Sequence, residues 1–168
     1  MRSIMILSRP EAVFYCESEH SSPSIMISIS DPFHTYTETP FVTRENNIRA
    51  LLPLAFCDAE EPGPDVYGHV ARTEDLMQRE DALQIRDLLK RYRDCDVIVH
   101  CDAGMSRSAG VAAAIAEAAG GDSSEIFDSP YYDPNLHCYQ LLRGVLFEEA
   151  SEKRAQDRNG HSSEGKEQ

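Results

Sequence analysis

The sequence predicts an α/β domain of three layers, in which helices cover both faces of a mostly parallel central sheet. Two observations lead to this fold class. Short β-branched or apolar runs alternate along the chain with longer segments of helical periodicity, and no internal repeat is present. The length of 168 residues suits one domain that buries a sizeable core. We expect this domain to occupy residues 1–150.

The N-terminal half supplies three strands and one helix. The apolar run over 3–8 predicts a first strand, and a short helix is expected over 10–16. A second strand is predicted over 24–29. The third, over 48–56, has the composition of a buried strand despite its internal Pro53.

The C-terminal half is richer in helix. A long helix is predicted over 72–93, because a set of apolar side chains falls near one face: Leu76, Leu83, Leu88, Leu89 and Tyr92. A strand over 96–100 follows, and then a nearly all-alanine helix that stops at Gly120-Gly121. Alanine lets that helix approach the sheet closely. A short helix over 123–127 and a last helix over 134–150 complete the domain.

The loop between the strand over 96–100 and the alanine-rich helix carries the chemistry. Residues 97–107 read Val-Ile-Val-His-Cys-Asp-Ala-Gly-Met-Ser-Arg, so Cys101 and Arg107 bracket a loop that enters a helix. Such a loop aims backbone N–H groups and a positive helix end at one spot, which makes an anion site. A cysteine placed there is stabilised as a thiolate, and a thiolate is a nucleophile.

A purely structural interpretation of the same residues is available. Cys101 would then be a small buried hydrophobe, and Arg107 a surface charge at the start of a helix. This interpretation leaves two features unexplained: Gly104 in the middle of the loop, where a tight turn needs a positive φ, and the position of the loop directly after a strand. We therefore favour the anion site.

The segment from His100 to Ser108 resembles the signature loop of the cysteine-dependent protein tyrosine phosphatase superfamily, nearest to its compact dual-specificity-like members. The resemblance extends over roughly residues 48–147, with the loop as its most specific part. It implies the phosphatase-like α/β fold and transfer of a phosphoryl group to the cysteine, followed by hydrolysis of the thiophosphate. It implies no cofactor and no metal.

The resemblance gives each loop residue a role. Cys101 would be the nucleophile, and the planar fork of Arg107 would hold two phosphate oxygens. Ser108 would hydrogen-bond the thiolate and ease its departure, and His100 would hold the shape of the loop rather than transfer protons. Backbone N–H groups would bind the remaining oxygens, and they belong to Asp102, Ala103, Gly104, Met105, Ser106 and Arg107.

The proton donor must come from outside the loop. Asp58 falls where the strand over 48–56 runs out, and the resemblance implies a general-acid aspartate after such a strand. The separation from Cys101 is longer than the resemblance leads us to expect, and Asp65 lies closer in sequence within an acidic, Pro/Gly-rich stretch. A rigid support favours Asp58. Asp65, or a solvated loop with no catalytic member, stays open.

Asn135 is the last candidate site residue. The resemblance implies that it braces the signature loop from behind. Pro134 before it also suits the first turn of a helix, so a simple helix-capping turn explains the pair equally well.

Composition limits the partners and the compartment. The net charge of −13 disfavours nucleic acid and anionic membranes as partners. The five cysteines are odd in number and form no metal-binding spacing, which indicates a reducing, cytoplasmic location. The first apolar run is too short for a signal peptide, and no run approaches a membrane span. The polar composition of 151–168 predicts a disordered tail.

These observations favour a phosphomonoester hydrolase that acts on a phosphorylated protein or a small phosphate ester. Two alternatives stay open: a sulfur-transfer or arsenate-reducing enzyme that uses the same kind of anion loop, and a catalytically silent phosphate-binding module. The sequence does not separate phosphotyrosine from phosphoserine, phosphothreonine or non-protein substrates. It leaves the oligomeric state open as well.

Overall fold

Four parallel strands form the central sheet of the structure, a computed structural model that describes residues 2–65 and 67–161. The strands in chain order are β1 (Ile4–Leu7), β2 (Ser24–Ser30), β3 (Ile48–Ala55), β4 (Gly63–Pro64), β5 (Val70–Ala71) and β6 (Asp96–His100). The sheet has the order β1-β6-β2-β3, and β4 and β5 pair separately as a short antiparallel ladder.

The helices in chain order are α1 (Arg9–Cys16), α2 (Arg79–Arg91), α3 (Arg107–Ala118), α4 (Ser124–Phe127) and α5 (Leu136–His161). A single 3₁₀ turn, Thr73–Asp75, precedes α2. Ser8 caps α1 through a capping box with Glu11. In the described part of the chain, no helix is both long and apolar enough to cross a membrane.

Helices cover both faces of the sheet, as the predicted three-layer class requires. On one face, Ala12 and Cys16 of α1 pack against Met26 and Ile98. On the other, α2, α3 and α5 share a larger core with the apolar side chains of β2, β3 and β6. Small residues along α3 let it lie close to the sheet, as its alanine-rich sequence predicts: all of its residues from Arg107 to Ile115 are buried.

The parallel arrangement gathers the functional segments at one edge. Because all four strands point the same way, their carboxyl ends meet at that edge, which is where ligands bind in open α/β sheets. Cys101 follows β6, Asp31 follows β2, Asp58 lies just beyond β3, and Arg9 lies just beyond β1. Residues far apart in sequence therefore surround the loop after β6.

Three elements differ from the predicted ones. The strand containing Pro53 lies at the edge of the sheet rather than in its buried centre, and at an edge the missing N–H of proline is tolerated. The predicted helix over 72–93 begins only at Arg79, because Asp81 accepts from the backbone N–H of Gln78 and fixes the helix start there.

The last helix is longer than predicted. It extends from Leu136 through His161, into the segment assigned to a disordered tail, and residues 162–168 lie outside the described residues. Lys90 pairs with Glu149, and Lys153 pairs with Glu149 one turn along α5. The Glu149–Lys153 pair has the i,i+4 spacing that supports a polar helix, and the Lys90 pair joins α5 to α2.

Candidate active site

The loop between β6 and α3 holds Cys101 in a buried position at the start of the helix. Cys101 is only 2% exposed. Its Sγ accepts a hydrogen bond from the backbone N–H of Gly104 at 3.3 Å and lies 3.1 Å from the Ser108 Oγ. The sulfur thus has a backbone donor and a hydroxyl, which are the groups that stabilise a thiolate.

Gly104 has the backbone conformation that its place in the loop predicts. Its φ is +70°, and a Cβ there would lie 2.6 Å from the backbone nitrogen of Ser8. The loop is also fastened to the start of α1, because the Arg9 backbone N–H donates to the carbonyl of Asp102 at 3.1 Å. Only glycine permits this close approach of the loop to the end of β1.

The guanidinium of Arg107 is buried beside the cysteine. Its Nη1 donates to the carbonyl of Phe56 at 2.9 Å, and its Nη2 lies 3.5 Å from Asp102 Oδ2. Burial opposes its charge, but Cys101 and nearby carboxylates outweigh that and raise the pKa of Arg107. In the described part of the chain, Nε has no hydrogen-bond partner although it is buried. An unused buried donor suits an anionic ligand.

Asp58 and Asn135 both contact the loop, the first from a segment that precedes it in the sequence and the second from a segment that follows it. Ser106 Oγ donates to Asp58 Oδ1 at 2.7 Å, and Asn135 Nδ2 donates to the same oxygen at 3.0 Å. The Asn135 backbone N–H donates to the Ser106 carbonyl at 3.0 Å. Asn135 therefore contacts both the loop and the candidate acid.

Asp65 lies elsewhere. Its side chain is 0% exposed, and its Oδ1 accepts the backbone N–H groups of Tyr67 and His69. It faces Asp31 and Cys57 rather than Cys101. Burial, together with the charges of Asp31 and Asp65, raises the pKa of Cys57 to about 11.

His100 lies beneath the loop as a neutral imidazole. Burial lowers its pKa to about 4. One ring nitrogen lies 2.6 Å from Ser28 Oγ across the sheet, and the other lies 3.2 Å from the carbonyl of Cys101. The ring thereby connects β2 to the base of the loop.

The burial of His100 should make folding stability depend on pH. An exposed histidine has a pKa near 6.5, whereas His100 in the folded chain has one of about 4. As the pH falls through 6.5, the unfolded chain gains a proton that the folded chain takes up only near pH 4. The contribution of His100 to the free energy of unfolding is therefore fully present above pH 6.5 and is lost as the pH falls from 6.5 toward 4. We expect the free energy of unfolding to fall by about 2 kcal/mol between pH 7.5 and pH 5.

Urea unfolding at the two pH values measures this contribution. His100→Gln should lose most of the decrease, because no imidazole remains there to be protonated in the unfolded chain. His20→Gln is the matched control and should keep it, because His20 is only half-buried and stacks on Tyr15 outside the loop. An undiminished decrease in His100→Gln would contradict the assignment.

The side chain of Asp102 makes contacts that its sequence context does not reveal. Arg9 Nε donates to its Oδ1 at 3.1 Å, and Tyr36 Oη donates to its Oδ2 at 2.7 Å. Tyr67 Oη lies 3.3 Å from the same Oδ2. Burial opposes ionisation of Asp102, but the hydrogen bond from Tyr36 and the charge of Arg107 lower its pKa. Arg9 also stacks on the Tyr36 ring, with its Cζ 3.6 Å from the centroid.

This network is built from residues distant in sequence. Burial and the charge of Asp102 raise the pKa of Tyr67 to about 12, so its phenol stays protonated and can donate. The one sequence signal for the network is positional, because Arg9 follows a predicted strand just as Cys101 does. Tyr36 and Tyr67 therefore place phenol groups against Asp102 of the loop.

Comparison with known proteins defines the fold. No protein-family model and no curated protein matches the chain. Human DUSP28 has a similar structure, with a TM-score of 0.57 and 16% identity over 92% of this chain and 96% of that one. PTPMT1, in complex with PI(5)P, gives a TM-score of 0.50 and 15% identity over 78% and 81%. The chain therefore has a dual-specificity phosphatase-like fold, which confirms the resemblance at the level of structure.

Proposed function

We propose that this chain is a cysteine-dependent phosphomonoester hydrolase. The observation that carries the proposal is the environment of Cys101. Its sulfur is buried between the Gly104 N–H and the Ser108 hydroxyl, and the loop it begins ends at the buried guanidinium of Arg107. A nucleophile, an anion clamp and a group that stabilises the departing sulfur lie within one short loop.

The reaction would proceed in two transfers. In the first, the Cys101 thiolate forms an S–P bond as the P–O ester bond breaks, and the leaving oxygen takes a proton from Asp58. In the second, water forms a P–O bond and gives a proton to Asp58 while the S–P bond breaks. Ser108 donates to the departing thiolate, and inorganic phosphate is released. Arg107 binds the equatorial oxygens throughout.

Asp58 is the better candidate for the acid. Its hydrogen bond from Ser106 holds it against the loop, whereas Asp65 is directed toward Asp31 and Cys57. In the described part of the chain, both side-chain hydrogen bonds to Asp58 end on Oδ1. We assign proton transfer to Oδ2, and Asn135 then acts by positioning that carboxyl.

The substrate class is a phosphate monoester, of a protein or of a small molecule. Tyr36 and Tyr67 lie against Asp102 of the loop, and Tyr67 and Phe33 are 41% and 49% exposed. Aromatic side chains of this kind can stack on an aryl group. We therefore expect aryl phosphates and phosphotyrosine peptides to be turned over. A panel that adds phosphoserine peptides, nucleotides and a phosphoinositide tests the range.

Asp58→Asn should lower kcat for a phosphotyrosine peptide by about 10²- to 10³-fold, because the leaving oxygen would depart without its proton. KM should change little, since Asp58 does not bind the phosphate in the proposed mechanism. Steady-state release of inorganic phosphate across pH 5–8, with a chelator present, measures both parameters.

Two further variants make the assignment decisive. Glu61→Gln removes an exposed carboxylate from the same loop and should leave kcat unchanged. Asp65→Asn tests the competing candidate. If Asp65→Asn shows the large loss and Asp58→Asn does not, the acid is Asp65 and the proposed role of Asp58 is wrong.

A further inference from the structure

We propose that five side chains beside the loop, Asp31, His34, Cys57, Asp65 and His69, form a zinc site, the Asp–His cluster. These residues come from the segments that follow β2 and β3 and from the turn between β4 and β5. They take no part in the phosphoryl transfer proposed above, and the site stands independently of it. No metal was expected from the sequence, because the contributing residues are scattered along the chain.

The geometry of the Asp–His cluster brings metal-ligating atoms together. Potential ligand atoms of Asp31, His34 and His69 all lie within 4.8 Å of one another, and so do those of Asp31, Cys57 and Asp65. The two groups share Asp31. They also meet at a second point, where Asp65 Oδ2 lies 3.4 Å from His69 Nδ1. The five residues are therefore neighbours, in two groups joined at Asp31 and at the approach of Asp65 to His69.

Each carboxylate of the cluster has one oxygen fixed and one oxygen free. Asp31 Oδ1 accepts the Phe33 backbone N–H at 2.8 Å, and Asp65 Oδ1 accepts two backbone N–H groups. In the described part of the chain, the other oxygen of each, Oδ2, is buried without a hydrogen bond. The 3.4 Å approach of His69 Nδ1 to Asp65 lacks hydrogen-bond geometry, and that nitrogen is also unpartnered.

Free oxygens of this kind are costly unless something binds them. Asp31 is 2% exposed and the Asp65 side chain is 0% exposed. Among the described residues, the one basic nitrogen within ion-pair distance of either carboxylate is the His69 Nδ1. Two buried carboxylates without a strong cation carry a large desolvation penalty. A divalent cation would compensate both charges and use the free oxygens.

The donor set selects zinc. Imidazole nitrogens, carboxylate oxygens and a thiol together suit Zn²⁺, whereas Mg²⁺ and Ca²⁺ prefer oxygen alone. Tetrahedral zinc takes four donor atoms about 3.4 Å apart, with ligand bonds near 2.0–2.1 Å, so four of the five side chains would bind it at one time. The histidines can close this distance by side-chain rotation, because His34 and His69 are at least partly exposed and their rings lie 5.5 Å apart.

The Asp–His cluster is connected to the loop after β6 through two tyrosines. Asp31 donates its backbone N–H to Tyr36 Oη, and Tyr67 lies two residues from both Asp65 and His69. Both tyrosines contact Asp102. A bound zinc would therefore tie together the two segments that carry these tyrosines.

Metal binding to the full-length protein tests the proposal. The Cys101→Ser background is used, because the Cys101 thiol could itself bind zinc. The apo-protein is titrated with Zn²⁺ against a chromophoric chelator, and Co²⁺ is added separately. We expect one Zn²⁺ per chain, the visible absorption bands of tetrahedral Co²⁺, and no binding of Mg²⁺. His34→Ala combined with His69→Ala should weaken Zn²⁺ binding at least about 100-fold.

Asp31→Asn and His20→Ala provide a second cluster variant and a control. Asp31→Asn should weaken Zn²⁺ binding similarly, and circular dichroism checks that it folds. If it does not, the double histidine variant decides alone, because His34 is exposed and the His69 side chain is 38% exposed. His20→Ala, a histidine outside the Asp–His cluster, should bind Zn²⁺ as the parent does. Absence of binding, or equal loss in His20→Ala and the cluster variants, would overturn the proposal.

Discussion

Cys101→Ser should reduce kcat for an aryl phosphate by at least about 10⁴-fold, because a serine hydroxyl at neutral pH is a far weaker nucleophile than a thiolate. The groups that bind the phosphate remain in place, namely the loop N–H groups and the Arg107 guanidinium. The variant should therefore still bind inorganic phosphate. Steady-state release of nitrophenol measures the loss, and isothermal titration with phosphate measures the retained binding.

Cys16→Ala is the matched control for this substitution. Cys16 is also a buried cysteine, and burial raises its pKa, but it ends α1 and packs with Met26 on the opposite face of the sheet. We expect its kcat to equal that of the wild type. Wild-type turnover in Cys101→Ser would remove the nucleophile from the mechanism. Phosphate binding with no turnover in the unmodified chain would instead support a silent phosphate-binding module.

The second large effect is expected at Arg107. Arg107→Lys keeps the positive charge but loses the planar fork that grips two oxygens, and it loses the Nη1 bond to the Phe56 carbonyl at 2.9 Å. Because the guanidinium also stabilises charge in the transition state, kcat/KM should fall by about 10²- to 10³-fold. Most of the loss should fall on kcat, which initial rates over a range of substrate concentration separate from KM.

Arg79→Lys controls for a general effect of exchanging arginine for lysine. Arg79 forms an exposed ion pair with Glu148 on the helical surface, and pairs of this kind contribute little to stability. Its kinetics should match the wild type. If Arg107→Lys retains full kcat/KM, the guanidinium is not the phosphate clamp and Arg107 only supports the fold.

The loop was predictable from sequence because its determinants are local. The strand before it, the positive φ of Gly104 and the helix that begins at Arg107 are consecutive in the chain, so sequence order places them together in space. The parallel sheet was predictable for a similar reason, since strand and helix patterns alternate. Ser108 lies seven residues beyond the nucleophile on the first turn of that helix, and its contact follows from the same local geometry.

The residues around the loop were harder to predict because topology, not sequence, brings them together. Arg9 and Tyr36 reach Asp102 across 93 and 66 positions. The one signal for Arg9 is its position directly after a predicted strand, and nothing in the local sequence marks Tyr36. The Asp–His cluster has the same origin, since Asp31 and His69 follow different strands. Such contacts depend on the strand order β1-β6-β2-β3, which a single sequence does not specify.

The predicted boundaries of two helices were wrong, and the reason is physical here as well. The apolar spacing that predicted a helix from residue 72 is present. However, Leu76 and Met77 lie in the segment before Arg79, and they are buried there without being part of the helix. At the C-terminus, low hydrophobicity suggested disorder. The charged residues there instead continue α5 as far as His161.

The central claim is that phosphate is transferred to the sulfur of Cys101. Asp58→Asn is the variant in which to observe it, because loss of the general base should slow hydrolysis of the thiophosphate. The variant is mixed with an activated aryl phosphate, whose leaving group needs little protonation, and the reaction is quenched within milliseconds to seconds. Peptide mapping by mass spectrometry should then find one phosphoryl group on the peptide that contains Cys101. Steady turnover without phosphate on Cys101 at any time, or phosphate on another residue, would contradict the proposed mechanism.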